Sequence, residues 1–282
     1  MTITTVDALG NAIESRYSDV TISKASFANT VAGQYFSLFT SAGLPAAGSV
    51  PSGVGVGPII CNDTTVGAFT FMQQTSPATS YLASLEVSTA NPSATVEIHD
   101  RLAHLGGISG TDTATQITAF DFNSLSLSNI TTRKGDANYS DIQWWLEWYF
   151  ATGGFTSNAT INVTYDDGTT GNLSVVAVGG TVRAGRMIPL NSFIPAADQG
   201  KFIRGVNNIT LSQSTGTAGN IGITATRYRG GIYSRSVFKK TKGIWHSLSL
   251  PEIYNNSCLF PIILTTTTTT GILNGTARII HG

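Results

Sequence analysis

Charge is what this sequence has least of. Asp, Glu, Lys and Arg together make up 11 % of its 282 residues, against about a quarter in an ordinary globular chain. With a formal net charge of zero and 41 % hydrophobic residues, the composition excludes the low-hydrophobicity, high-charge route to disorder. Only two cysteines occur, Cys61 and Cys258, far apart and with no C-x-x-C spacing. That excludes a disulfide framework and a zinc site, although one bridge between the two is allowed. Long apolar runs are missing too. "CLFPIIL" is far short of the ~20 residues of a spanning helix, so no membrane insertion is expected. The opening "MTITTVDALGNAIESRY" lacks a basic stretch followed by an apolar one, so no secretory signal is expected either, and synthesis in a cytoplasm follows.

One further absence is local. No Asp or Glu occurs from Gln199 to Pro251, whereas Arg227, Arg229, Arg235, Lys239, Lys240 and Lys242 fall within sixteen residues. Residues 1–198 hold fifteen acids and seven bases, and 199–282 hold nine bases and one acid. A nucleic-acid arm has this look. So does a segment that docks on an acidic surface, and because the same chain supplies the acidic complement, docking is the expected role and nucleic acid is not the expected partner.

What the sequence has in quantity is period-two alternation, the mark of half-buried strands. It recurs in "YLASLEV", "TVEIHDRL", "IQWWLEWYF", "ATINVTY", "NLSVVAV", "RMIPL", "VNNITLSQ" and "NIGITATRY". "DDGTTG" at Asp166–Gly171 places Asp-Gly between two such runs, a strong hairpin cue. The fold class expected is mainly β: an eight-stranded antiparallel β-sandwich, jelly-roll-like, with N-terminal and C-terminal arms. Residues 1–58 form an arm with a short helix in "VDALGNAIESRY" and a Gly/Pro-rich linker from Ser41 to Pro58. Residues 59–230 form the sandwich. Residues 231–282 form a basic arm, its six-threonine run Thr265–Thr270 opening a terminal hairpin or edge strand.

The richest segment is "DIQWWLEWYF", Asp141–Phe150. Alternation puts Ile142, Trp144, Leu146, Trp148 and Phe150 on one apolar face. Each buried aromatic there removes roughly 150–250 Å² from water, worth about 4–6 kcal/mol as an upper bound. Trp148 is therefore expected to be indispensable. The other face carries Gln143, Trp145, Glu147 and Tyr149, and Trp145 is expected to be replaceable. Trp145, Glu147 and Tyr149 fit three roles: a subunit interface, packing within the chain, or a sugar platform with a carboxylate between two stacking rings.

Catalytic signatures are weak. In "EIHDRLAHLGG", Glu97, His99 and Arg101 share a strand face while Asp100 points away, which suits an exposed polar row or turn-fixing hydrogen bonds from His104. No G-x-S-x-G serine accompanies them. "GTAGNIG", Gly216–Gly222, precedes a strand rather than a helix, so its glycines belong to a β turn and not to a dinucleotide loop. Glu147 has no neighbouring carboxylate in sequence to complete a glycosidase pair. No catalytic, cofactor-binding or metal-binding residue is assigned. The interface candidates are Trp145, Glu147, Tyr149, Arg227, Arg229, Arg235, Lys239, Lys240 and Lys242.

The phrases "EIHDRLAHLGGISGT", "WWLEWYFATGG", "INVTYDDGTTG", "AGRMIPL" and "ITLSQSTGTAGNIGITATR" together resemble tailed-bacteriophage virion structural proteins, similar to head-associated β proteins of the decoration or cement kind. The resemblance covers about residues 95–229, with an echo in "SKASFANTVAGQYFSLF". It implies a sandwich fold, assembly into oligomers and no cofactor. It does not cover the basic segment or the threonine run. The function expected is non-enzymatic: a virion protein, made in the bacterial host cytoplasm, that stabilises the head by bridging subunits of the major capsid protein and associates with itself, three-fold symmetry suiting an icosahedral shell. The alternative is a tail or fibre component that binds a surface glycan.

Overall fold

The computed structural model describes residues 3–26, 30–51, 54, 57–125, 130–180 and 183–282. Antiparallel β-structure dominates, and every one of the eight alternating segments contains strand. The chain divides into two compact units. One holds residues 1–49, 61–100 and 228–282, and the other holds 50–60 and 101–227. Two long strands change unit along their length, Ala94–Ile108 after Asp100 and Asn220–Ser234 after Arg227.

In the first unit, one sheet runs in the order Thr241–Ile244, Ser80–Thr89, Leu273–His281, Tyr17–Lys24 and Gly43–Leu44. Against its inner face lies Leu259–Thr265, which pairs with Gln34–Ser37 on one side and with residues 94–100 on the other. The core between these layers draws on Val20, Ile22, Leu82, Leu85, Val87, Ala277 and Ile279 from the sheet and on Phe36, Val96, Ile98, Leu259 and Ile263 opposite. The helix expected near the start is present as Val6–Ser15, its N-cap Thr5 accepting from the Ala8 amide at 3.1 Å, which satisfies one of the orphan donors of the first turn.

Residues 231–282 are therefore not an arm. Leu273–His281 lies between Ser80–Thr89 and Tyr17–Lys24, with Ala277 opposite both Leu85 and Val20. The threonine run is not a strand of its own either. Thr265 closes Leu259–Thr265, and the following threonines turn the chain, Thr267 and Thr269 both donating to Asn91 Oδ1 at 2.9 Å. The division expected from sequence, with boundaries near 58 and 230, differs from this grouping for one reason. Alternation reports which face a residue occupies and is silent on which strand it pairs with, and here Tyr17–Lys24 pairs with Leu273–His281, which in turn pairs with Ser80–Thr89. Cys61 and Cys258 are both buried thiols, with no bridge between them.

In the second unit, the aromatic strand Ile142–Phe150 is flanked by residues 220–227 and by Arg186–Pro189. The facing sheet runs Thr170–Asn172, Asn158–Tyr165, Ile203–Leu211 and Gln116–Asp121. Asp166–Gly171 forms the expected hairpin turn, with Gly168 at φ +84° and Thr170 opposite Thr164. Trp144, Leu146 and Trp148 enter the core with Phe120, Phe122, Ile161 and Val206. The Trp144 indole also donates to the Ile203 carbonyl at 2.7 Å, so its polar edge is satisfied as a buried indole requires. Phe150, assigned by alternation to the same face, is 56 % exposed, because the strand ends there at a register shift against Asn220 and Ile221.

Lys24 is buried with no carboxylate against it. Its ammonium donates to the carbonyls of Ser41, Pro45 and Ala46 at 3.1, 2.5 and 3.3 Å, and burial pulls its pKa down from 10.5 to about 8. Between those values the unfolded chain holds a proton that the folded chain has released, so this lysine makes folding more favourable as pH rises through the interval. The stability of the wild type relative to Lys24→Met should thus be flat below pH 8 and rise in favour of the wild type towards pH 10.5. Urea denaturation across that range measures it, and a constant difference would contradict the assignment. Trp145 and Trp148 are both at most 2 % exposed. Alanine at either position should cost about 3–5 kcal/mol in the same assay, so the expectation that Trp145 is replaceable does not survive.

Candidate functional site

The second face of the aromatic strand is closed. Trp145, Glu147 and Tyr149 are all buried, which leaves packing within the chain as their role and removes both the sugar platform and the exposed interface. Trp145 donates its indole N–H to Thr226 Oγ1 at 2.8 Å. Glu147 accepts from Arg101 Nη2 at 2.8 Å and from the Thr224 hydroxyl. Arg101 Nη1 reaches Tyr149 Oη, Thr224 Oγ1 and His104 Nδ1 at 3.1, 3.2 and 3.0 Å. A guanidinium only donates, so His104 Nδ1 is the acceptor at that contact. Burial, and then the Glu147 charge, push the Tyr149 hydroxyl well above its usual pKa of 10.

Backbone placement explains the cluster. Residues 101–108 run close to residues 220–227, because a side chain at Gly222 would meet the Leu105 carbonyl at 2.1 Å and the Tyr149 ring at 2.5 Å. With glycine there, Arg101 and His104 reach over the strand that carries Glu147 and Tyr149. Arg133, fully buried, donates to the Arg101 carbonyl at 3.0 Å. The exposed row expected of Glu97, His99 and Arg101 is absent, since His99 and Arg101 are buried. His99 bonds Glu97 at 2.9 Å. His104 sits within the strand Ala94–Ile108 rather than at a turn. Asp100 accepts from the Cys258 amide at 2.8 Å and the Ser257 hydroxyl at 3.0 Å. Glu147, the carboxylate considered for a glycosidase-like role, is buried and paired with Arg101. Among the described residues, no three of His, Cys, Asp or Glu gather as metal ligands, and no helix is long and apolar enough to cross a membrane.

The basic residues scatter in role. Arg227 pairs with Asp141 at 2.5 Å. Arg229 is buried, bonds the Glu252 carbonyl at 3.3 Å and lies over the Tyr254 ring. Lys240 pairs with Glu86 at 2.7 Å, and Lys242 stands opposite Glu86 in the sheet. Arg235 and Lys239 are exposed. The docking anticipated for this segment is thus made on the chain itself at Lys240, through pairing of Thr241–Ile244 with Ser80–Thr89.

No protein-family model matches the chain, and no curated protein matches it. Among solved structures it is similar to the VP2 protein of infectious bursal disease virus. The VP2 subviral particle gives 12 % identity, with 94 % of this chain and 79 % of that chain covered, at a TM-score of 0.18. The structure of the Gt strain gives 13 % identity, 94 % and 80 % coverage and a TM-score of 0.17. At such scores the likeness carries neither fold nor function.

A solvent-facing hollow lies instead on the outer face of the first unit's sheet. In-register pairing builds rows across it: Ser23, Asn274 and Ser88; Thr21, Thr276, Glu86 and Lys242; Asp19, Arg278 and Ser84. One groove of about 420 Å³ is lined by Thr21, Ser23, Ser88, Phe238, Lys240 and Asn274. A second of about 220 Å³ adds Asp19, Ser84, Lys242 and Arg278, and the two share Glu86 and Thr276. Asp19 is held by a bidentate pair to Arg278 at 2.6 and 2.7 Å, which lowers its pKa. The Lys240 hydrogen bond likewise lowers that of Glu86. The sequence signal was the polar alternation in "YSDVTISK" and "LNGTARIIH", two segments assigned to arms.

Removing one partner of the Arg101–Glu147 pair leaves a buried charge, so Arg101→Met or Glu147→Leu alone should each cost about 3–5 kcal/mol. The double variant should cost well below their sum. A double-mutant cycle by urea denaturation measures the coupling, and additive losses would mean that the pair is not the clamp.

Proposed function

We propose that this chain is a non-enzymatic structural protein of a virus particle that assembles with further copies of itself. The observation that carries the reading is the burial of Glu147 against Arg101. The one carboxylate in the aromatic strand, and the histidine and tyrosine around it, hold strands together out of reach of any substrate. Support also comes from the surface, where hydroxyl and amide side chains stand in place of charge, and from the virion-like phrases, which fall on Ala94–Ile108, Ile142–Phe150, Asn158–Tyr165 and Asn220–Ser234. The finer reading is a head decoration or cement protein in contact with the major capsid protein, as a homotrimer.

Light scattering over a concentration series should show a closed oligomer, with a trimer as the expected species, and mass spectrometry of purified particles should find the chain among virion components. A monomer at every concentration together with absence from particles would overturn the proposal. A trimer that is absent from particles would overturn the virion role alone.

A further inference from the structure

The outer-face grooves of the first unit carry a concentration of solvent-facing polar side chains, among them Ser23, which donates to Asn274 Oδ1 at 3.0 Å and leaves the Asn274 amide N–H groups towards the groove as donors. Their walls are hydroxyls and an amide set in rows by strand register, and two of their cations already have carboxylate partners. Side chains of this kind are depleted in the cores of protein–protein interfaces, where aromatic residues and Met gather. The grooves do not suit an anion either, because a phosphate or sulfate beside Lys240 or Arg278 would also lie beside Glu86 or Asp19. The volume of the larger groove, about 420 Å³, falls in the range of small-ligand sites.

Phe238 decides the ligand class. It lines the larger groove, is 57 % exposed, and sits at φ +49° with its amide bonded to the Thr89 carbonyl at 2.8 Å. A bulky residue in the left-handed region is a true outlier, and such strain gathers at binding sites, where the surrounding structure imposes it. Here it holds a phenyl ring beside rows of hydroxyl and amide groups. An aromatic wall next to aligned neutral donors and acceptors matches a pyranose, which offers an apolar ring face and a rim of hydroxyls.

We propose that this groove binds a neutral saccharide, stacked on Phe238 and hydrogen-bonded by Ser88, Asn274 and Thr276. The test is an array of oligosaccharides ending in glucose, galactose or N-acetylglucosamine beside sialylated and sulfated ones, followed by calorimetry on the best neutral binder. Binding should be unchanged between about 0.05 and 0.5 M salt, since no net charge is recognised. Phe238→Gly should weaken it at least about tenfold, a loss of ~1.4 kcal/mol. The thermal midpoint of that variant should stay at or above that of the wild type, because glycine accepts the left-handed backbone without strain. Ser88→Val with Asn274→Leu should weaken binding similarly. Binding that survives these substitutions, no neutral sugar bound at all, or binding confined to anionic sugars and lost with salt would each overturn the proposal.

Discussion

The second unit turns on one buried ion pair. Arg101 and Glu147 come from different strands, and Thr224 from a third, and their hydrogen bonds close a polar cluster beside an apolar core. Taking two charges out of water is costly, and their attraction compensates only when the remaining donors and acceptors are satisfied. His104, Tyr149 and Thr224 supply acceptors for Arg101 Nη1. What such a pair fixes best is register. A slip of one residue would turn Glu147 into the tryptophan core and leave the guanidinium facing an apolar side chain. Gly222 belongs to the same arrangement, because any side chain there would displace the backbone that carries Arg101.

Much of the fold was legible in the chain. The eight alternating segments, the helix Val6–Ser15 and the Asp166–Gly171 turn all follow from local rules: period two, an N-cap, and a glycine at positive φ. What was not legible is pairing. The segment ending in His281 has the alternation of a strand, yet nothing in it tells a central strand from an edge, and the threonine run beside it suggested a loose end. Charge misled in the same way. Six bases in sixteen residues read as a free arm, but Arg229 is buried over a tyrosine and Lys240 meets a carboxylate more than 150 residues away in sequence.

The aromatic strand shows why the candidate site was harder to read than the fold. Alternation separated its two faces correctly at Trp144, Leu146 and Trp148, and the mixed composition of the other face suggested contact with water. A strand with neighbours over both faces can nonetheless carry polar groups inward if each finds a partner. Glu147 has such a partner, and Arg101 was itself assigned to an exposed row. Each half of the pair looked solvated because the other half was out of view. The groove was hidden for the opposite reason: its rows come from four segments, and three of them had been assigned to arms.

The central position of Leu273–His281 also sets an order of events during synthesis. Residues 101–227 supply nearly all of the second unit and can collapse while the ribosome is still at work. The first unit cannot do so. Tyr17–Lys24 and Ser80–Thr89 are made early, but the strand that lies between them is translated long afterwards, so Val20, Ile22, Leu82 and Leu85 wait with their apolar faces uncovered. Long-range antiparallel pairing of this kind is slow, and exposed strands invite pairing with other nascent chains. For this protein, the risk of aggregation is concentrated in the interval between making Tyr17–Lys24 and making Leu273–His281, tens of seconds at about 5–20 residues per second.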